Sequence, residues 1–257
     1  MGENPPFDRL PRVPEHLAII MDGNKRWAQQ RHLSGVAGHK AGIEPLKSTV
    51  EHAARAGVKV LSLFAFSSEN WKRPKDEVLG LMDLFSWALT KEVDKLVKNN
   101  LRLRVIGDRS GFAQSIQQKM QRAEMMTAEN TGMLVVIAAN YGGHWDITQA
   151  AQSLAREVAT GHLRPEDVTV ERLNNLVGLA DLPAPDLCIR TGGEIRLSNF
   201  LLWQMAYTEL YFTPVLWPDF DAHCLYEAFA DFAARDRRFG ARTEAVESQS
   251  AVVQSWR

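Results

Sequence analysis

The chain reads as a single-domain α/β protein built on a central, mostly parallel six-stranded sheet covered by helices. Two observations predict this. Six apolar runs of strand length recur along its 257 residues, and segments of helical periodicity separate them. A third observation bears on function: charged and polar residues cluster directly after four of the runs, where open α/β sheets place ligands.

In chain order, residues 1–14 are Pro-rich and polar and read as a flexible arm. Strands are expected at 17–21 (LAIIM), 58–64 (VKVLSLF), 101–106 (LRLRVI), 133–139 (MLVVIAA), 186–190 (DLCIR) and 208–212 (TELYF). Helices are expected near 38–56, 76–98, 112–129, 144–159, 167–177 and 221–237. No repeat, linker or low-complexity stretch interrupts 15–240, which reads as one domain. Residues 241–257 lack apolar periodicity and read as a mobile tail.

Composition is that of an ordinary globular protein, with 45% hydrophobic and 24% charged residues and a net charge of −1. No global basic field invites nucleic acid, so any polyanion site must be local. Cys188 and Cys224 offer neither zinc spacing nor a disulfide framework, and suit a reducing compartment. The start shows no signal peptide, and no run of 18 apolar residues could span a bilayer. The expectation is a cytoplasmic protein that can visit the inner face of a membrane.

The most informative segment runs Ile19-Ile20-Met21-Asp22-Gly23-Asn24-Lys25-Arg26-Trp27. A buried strand delivers Asp22 to a sheet edge, Gly23 lets the backbone turn tightly, and two cations follow. Such a turn suits a phosphate–metal site, the acid holding a divalent cation and the cations holding the anion. It equally suits a solvated turn with an Asp cap, and the segment alone leaves both open.

After the fifth strand, Arg190, Arg196 and Ser198 flank Gly192-Gly193, with Glu194 placed to orient one arginine. Two guanidiniums and a hydroxyl on a Gly-rich loop fit a diphosphate better than a plain surface salt bridge. After the second strand come Ser67, Ser68, Glu69, Asn70 and Trp71, then Arg73-Pro74. Asn is a poor base but can position a proton transfer that a diphosphate oxygen or a Ser completes. The plainer reading is a Ser-capped loop leading into a helix. His39, expected at a helix start, could contact phosphate, although a lone His there is more often a cap or surface residue. Residues 79–97 are apolar around much of a helix, which makes core or the wall of a long apolar cavity. Arg235, Arg237, Arg238 and Arg242 gather where the last helix ends, where positive charge is favourable in any case. No G-x-x-x-x-G-K-[ST] P-loop, no G-x-G-x-x-G after the first strand and no G-x-S-x-G elbow is present.

Together the clusters resemble the cis-prenyltransferases of the bacterial undecaprenyl diphosphate synthase type. The resemblance is carried by His16-Leu-Ala-Ile-Ile-Met-Asp-Gly-Asn24 with Arg26-Trp27, and by Gly38-His-Lys-Ala-Gly42. Ala65-Phe-Ser-Ser-Glu-Asn-Trp71 with Arg73-Pro74 and Asn140-Tyr-Gly-Gly143 add to it. So do Asp186-Leu-Cys-Ile-Arg-Thr-Gly-Gly-Glu194 with Arg196-Leu197-Ser198-Asn-Phe-Leu-Leu-Trp-Gln204, and Glu209-Leu-Tyr-Phe. It spans about 15–240 in the family's order. It implies repeated, Z-selective addition of isopentenyl diphosphate to an allylic primer, usually farnesyl diphosphate, with Mg²⁺ as cofactor. By resemblance Asp22 acts on the allylic diphosphate and its Mg²⁺, and Glu209 is a second metal contact. Gly23, Asn24, Arg26 and His39 cradle that diphosphate, with Lys25 and Trp27 alongside. Arg190, Arg196 and Ser198, with Leu197 between, hold the second diphosphate. Asn70 and Ser67 assist proton removal, near Ser68, Glu69, Trp71 and Arg73. Arg238-Phe239-Gly240 matches a C-terminal R-x-G that reaches the active site across a homodimer. The hydrocarbon product implies an apolar tunnel, with 79–97 as its wall, and delivery to a membrane. In one departure, many relatives carry an Arg where this chain has Gly35, so that either Arg31 substitutes or that diphosphate contact is absent. Met133 corresponds to a position near the family's tunnel floor.

Overall fold

All six apolar runs form strands. In the computed structural model, which describes residues 5–236, they are β1 (His16–Ile20), β2 (Val60–Ser67), β3 (Arg102–Ile106), β4 (Leu134–Tyr141), β5 (Leu187–Arg190) and β6 (Glu209–Phe212). The sheet is entirely parallel, in the order β3-β4-β2-β1-β5-β6. Both faces are covered, so β1 and β5 are buried at every position rather than at alternate ones. Leu17, Ile19, Leu61 and Leu63 face one core cluster, while Ala18, Ile20, Val136 and Cys188 face the other.

The helices are α1 (Asn24–Gln30), α2 (Gly35–Ala41), α3 (Ile43–Ala56), α4 (Lys75–Lys91), α5 (Val93–Lys98), α6 (Gln114–Thr127), α7 (Gly143–Ala159), α8 (Val170–Asn174) and α9 (Ala222–Ala234). Three depart from expectation. The helix expected at 38–56 starts earlier, where Ser34 accepts the Ala37 N–H, and divides at Gly42. There a Cβ would lie 2.6 Å from Asn24 Oδ1 and 2.7 Å from the Trp217 ring, so only glycine fits, and the Gly42 carbonyl accepts the Trp217 Nε1–H at 2.9 Å while keeping only a 3.3 Å bond from the Leu46 N–H. The helix expected at 76–98 divides at Glu92, and that expected at 167–177 shrinks to α8. α1, short and without an apolar period, has no counterpart among the helices expected.

The amino-terminal arm is a further correction. Phe7 is buried edge-on against Tyr226 and Phe229, and Arg12 donates to the Phe232 carbonyl at 2.7 Å. Aromatic burial thus anchors the described part of the segment on α9. At the opposite edge, α6 closes the open side of β3. Thr127 Oγ1 accepts the Leu103 N–H at 3.0 Å and Glu124 accepts the Val105 N–H at 2.8 Å. These bonds satisfy donors that an edge strand would otherwise present to another chain.

Candidate active site

β1 and β5 are neighbours, yet the chain leaves β1 toward β2 and leaves β5 toward β6. A crevice opens where the connections diverge, beyond the strands' C-terminal ends. Ile20 lies beside Arg190 in register, so Asp22 and Arg190 reach the crevice together. The Asp22 carbonyl accepts Thr191 Oγ1 at 2.7 Å and the Trp217 N–H at 3.0 Å, which fixes the turn. Gly23 has φ +110°, and a Cβ on it would stand 2.9 Å from Leu216 Cα, so only glycine fits.

Arg190 is 3% exposed and donates to Asp22 Oδ2 at 2.9 Å, to Ser198 Oγ at 2.7 Å and to the Arg196 carbonyl. Its buried Nε has no protein partner. Arg26, in the first turn of α1, lies 3.2 Å from Asp22 Oδ1 and also donates to the Gly192 carbonyl. Burial pushes the Asp22 carboxyl up, but the Arg190 hydrogen bond and charge, with Arg26, outweigh it and hold it below the usual carboxylate range. Arg196 pairs with Glu194 at the rim. The floor therefore carries more guanidinium than carboxylate and offers several donors to an anion.

A second cluster faces it. Glu77, buried at the start of α4, takes Lys25 Nζ at 3.1 Å on one oxygen and Arg73 at 3.1 Å on the other. His39 lies beside them in the last turn of α2 rather than at a helix start, with Nε2 buried and unpartnered. Burial and then the Arg73 charge, with Lys25 adding and Glu77 opposing, push its pKa down to about 4. At neutral pH His39 thus offers a neutral ring, not a cation.

Ser67 to Trp71 wind into a 3-10 turn after β2. The Ser67 N–H donates to Asn70 Oδ1 at 3.0 Å, and the Ser67 side chain accepts the Asn70 N–H. One lone pair of the Asn70 oxygen is thus engaged, and the amide keeps its NH₂ as a donor. It can donate to an anion but cannot take a proton. Trp71 leans on Phe66 and Phe112 and donates to Asn140 Oδ1 at 2.8 Å.

The structure gathers Asp22, Asn24, His39, Ser67, Glu69, Asn70, Arg73, Arg190, Arg196 and Ser198 around one cleft of about 750 Å³. Gly23 and Arg26 abut it through Asp22, Lys25 through Glu77, and Ser68 and Trp71 along the 3-10 turn. Trp27 is turned away, donating to Asp219 at 2.7 Å. Arg31 stacks on the Trp27 ring at 4.0 Å, so it does not fill the place left by Gly35. Leu197 packs into the core below its loop. Glu209 is not brought to Asp22: it opens β6 beside Leu187, three residues (roughly 10 Å) below the Arg190 level, and pairs with Arg235 at 2.8 Å. Met133 is buried in the core and is not part of the cleft wall. Arg238 and Gly240 lie outside the described residues. Sequence reasoning did not single out Glu77, Thr191 or Trp217. Only the Arg73–Glu77 spacing of four residues hinted at the first.

From the charged floor the cleft runs between the sheet and α3–α4, along Ile43, Leu46, Leu81, Met82, Phe85 and Ala88. The segment 79–97 thus supplies an apolar wall as well as core. Among the described residues no three His, Cys, Asp or Glu side chains converge on a metal cage. A single carboxylate beside an anion floor still fits Mg²⁺, which takes one or two carboxylates and completes its shell with phosphate oxygens and water.

Comparison with known proteins shows the family and the fold. The family model described as "Putative undecaprenyl diphosphate synthase" matches residues 20–240. The chain is 59% identical over 236 residues to the farnesyl-diphosphate-specific ditrans,polycis-undecaprenyl-diphosphate synthase of Pseudomonas putida, covering 92% of this chain and 94% of that one. Lavandulyl diphosphate synthase from Lavandula x intermedia, solved with dimethylallyl diphosphate, superposes with a TM-score of 0.86 at 38% identity, covering 89% of this chain and 98% of that one. A probable undecaprenyl diphosphate synthase from Campylobacter jejuni superposes with a TM-score of 0.75 at 34% identity, covering 89% and 99%. With the family match spanning most of the chain and the same fold in both solved structures, the chain belongs to the undecaprenyl diphosphate synthase family and is a cis-prenyltransferase.

Proposed function

We propose that this chain condenses isopentenyl diphosphate repeatedly, in cis, onto farnesyl diphosphate to give undecaprenyl diphosphate, the lipid-carrier precursor for cell-wall polysaccharide. The observation that carries the reading is one cleft that joins two cationic clusters to an apolar channel. Lys25, Arg26, His39, Arg73 and the backbone at Gly23 and Asn24 bind the allylic diphosphate. Arg190, Arg196 and Ser198 bind the diphosphate of the isopentenyl unit. Asp22 would hold Mg²⁺, which supplies Lewis-acid stabilisation of the departing diphosphate. Asn70 Nδ2 donates to a diphosphate oxygen and keeps it in place to receive the proton lost by the isopentenyl unit, with Ser67 assisting. As the chain lengthens, each added CH₂ leaves water for the wall of α3 and α4, gaining roughly 0.8 kcal/mol.

The protein is read as a cytoplasmic homodimer that hands its product to the membrane, without nucleic acid. No helix among the described residues is long and apolar enough to cross a bilayer. Trp27, Leu197, Glu209 and the Arg238–Gly240 segment keep their roles as proposals from resemblance, with Glu209 outside the Asp22 cluster of its own chain. The test is incorporation of labelled isopentenyl diphosphate by the purified chain alone, with farnesyl diphosphate and Mg²⁺. Turnover that needs an added partner protein would instead assign it as a scaffold subunit.

A further inference from the structure

The loop that carries Ser67 and Asn70 follows β2, and the loop that carries Arg196 and Ser198 follows β5. β1 lies between those strands, so the sheet leaves the two loops roughly 10 Å apart. Asn199 joins them. Its Nδ2 donates to Glu69 Oε1 at 2.8 Å, and its Oδ1 accepts the His144 N–H at 2.9 Å. Its carbonyl accepts the Gly143 N–H at 2.6 Å. The His144 N–H can only donate, so the amide orientation is fixed by its partners. The backbone is left-handed at Asn199, φ +64°, and at Ser198, φ +48°, which turns the side chain back toward Glu69. A Cβ on Gly142 would stand 2.6 Å from Asn199 Nδ2 and 2.8 Å from Ser68 Oγ, so this glycine provides the space in which the two loops meet.

We propose that Asn199 is a positioning residue, whose bond to Glu69 holds the proton-removal loop in register with the loop that binds the isopentenyl diphosphate. This rests on the proposed function. The donor of the proton is held by Arg196 and Ser198, while the groups that guide the proton stand on the other loop. A shift of about 1 Å between them costs about 100-fold in rate.

The test reverses the polarity of the bond. Asn199→Asp keeps the acceptor for His144 and tolerates the left-handed backbone, but sets a second carboxylate against Glu69. Glu69→Gln alone leaves an amide oxygen that still accepts from Asn199. The double variant restores a bond, with Gln donating to Asp. Expected are a kcat about 30-fold lower for Asn199→Asp than for wild type, with the KM for farnesyl diphosphate unchanged, whereas the same substitution made in the Glu69→Gln protein lowers kcat less than about 3-fold relative to Glu69→Gln itself. Hydrogen–deuterium exchange without substrate should quicken at 68–72 in Asn199→Asp and recover in the double variant. A full-rate Asn199→Asp, or an Asn199→Asp that costs as much in the Glu69→Gln protein as in wild type, would each overturn the tether. An inactive, folded wild type would overturn the proposed function instead, and the exchange data would still decide the tether.

Discussion

Asp22 keeps its charge because two guanidiniums face it, and one of them, Arg190, is itself buried and dependent on it. Removing either partner strands the other, which costs about 3–5 kcal/mol for a buried pair and less where Asp22 is part-exposed. Asp22→Asn, which keeps the shape and removes the charge, is expected to lower kcat at least 100-fold in a steady-state assay while the far-ultraviolet circular dichroism is unchanged. His39 makes a different prediction. Its folded pKa of about 4 lies below the 6.5 of the free side chain, so the unfolded chain binds the proton more readily. Its contribution to stability is complete above pH 6.5 and is lost as pH falls from 6.5 toward 4. Urea titrations should show the wild type losing about 2 kcal/mol more than His39→Gln between pH 7 and pH 5. Equal losses would contradict a His39 ring held neutral by the fold. Asp22, Arg190 and Ser198 were legible in the sequence because each follows an apolar strand into polar chemistry. Glu77 was not, because its meaning lies in Lys25, 52 positions away.

α4 serves two functions with one sequence. Val78 and Leu89 are buried, Leu81, Met82 and Phe85 line the cleft, and Leu79 and Trp87 are exposed. With three apolar faces, period alone could not separate core from cavity wall, and both readings proved to hold. Filling the channel at Ala88 with tryptophan should leave the first condensations intact and shorten the products seen by thin-layer chromatography. Products of unchanged length would place the growing chain elsewhere. At the far edge, Glu124→Ala leaves the Val105 N–H without its acceptor and should cost about 1–3 kcal/mol in a denaturation midpoint experiment, with kcat unaltered. Strands were more legible than helices, since a buried parallel strand is a short apolar run. The division at Gly42 was hidden because it depends on Asn24 and Trp217, residues remote from it in sequence.

Across the whole molecule, topology places the chemistry. The reversal of strand order at β1 and β5 opens the crevice, and the covering helices on the α3–α4 side make it apolar. A parallel sheet and ligand chemistry at its C-terminal edge followed from the order of motifs along the chain. The position of Glu209 did not, because a residue's height on a strand is set by register, and register put it beside Leu187. The central claim is that one cleft both joins two diphosphates and shelters a long hydrocarbon. The most direct measurement is to incubate the purified chain with labelled isopentenyl diphosphate, farnesyl diphosphate and Mg²⁺, and to size the dephosphorylated lipid. The account predicts a product of about eleven isoprene units, as in its undecaprenyl-forming relatives. Products that stop after one or two additions, or no incorporation by folded protein, would contradict it.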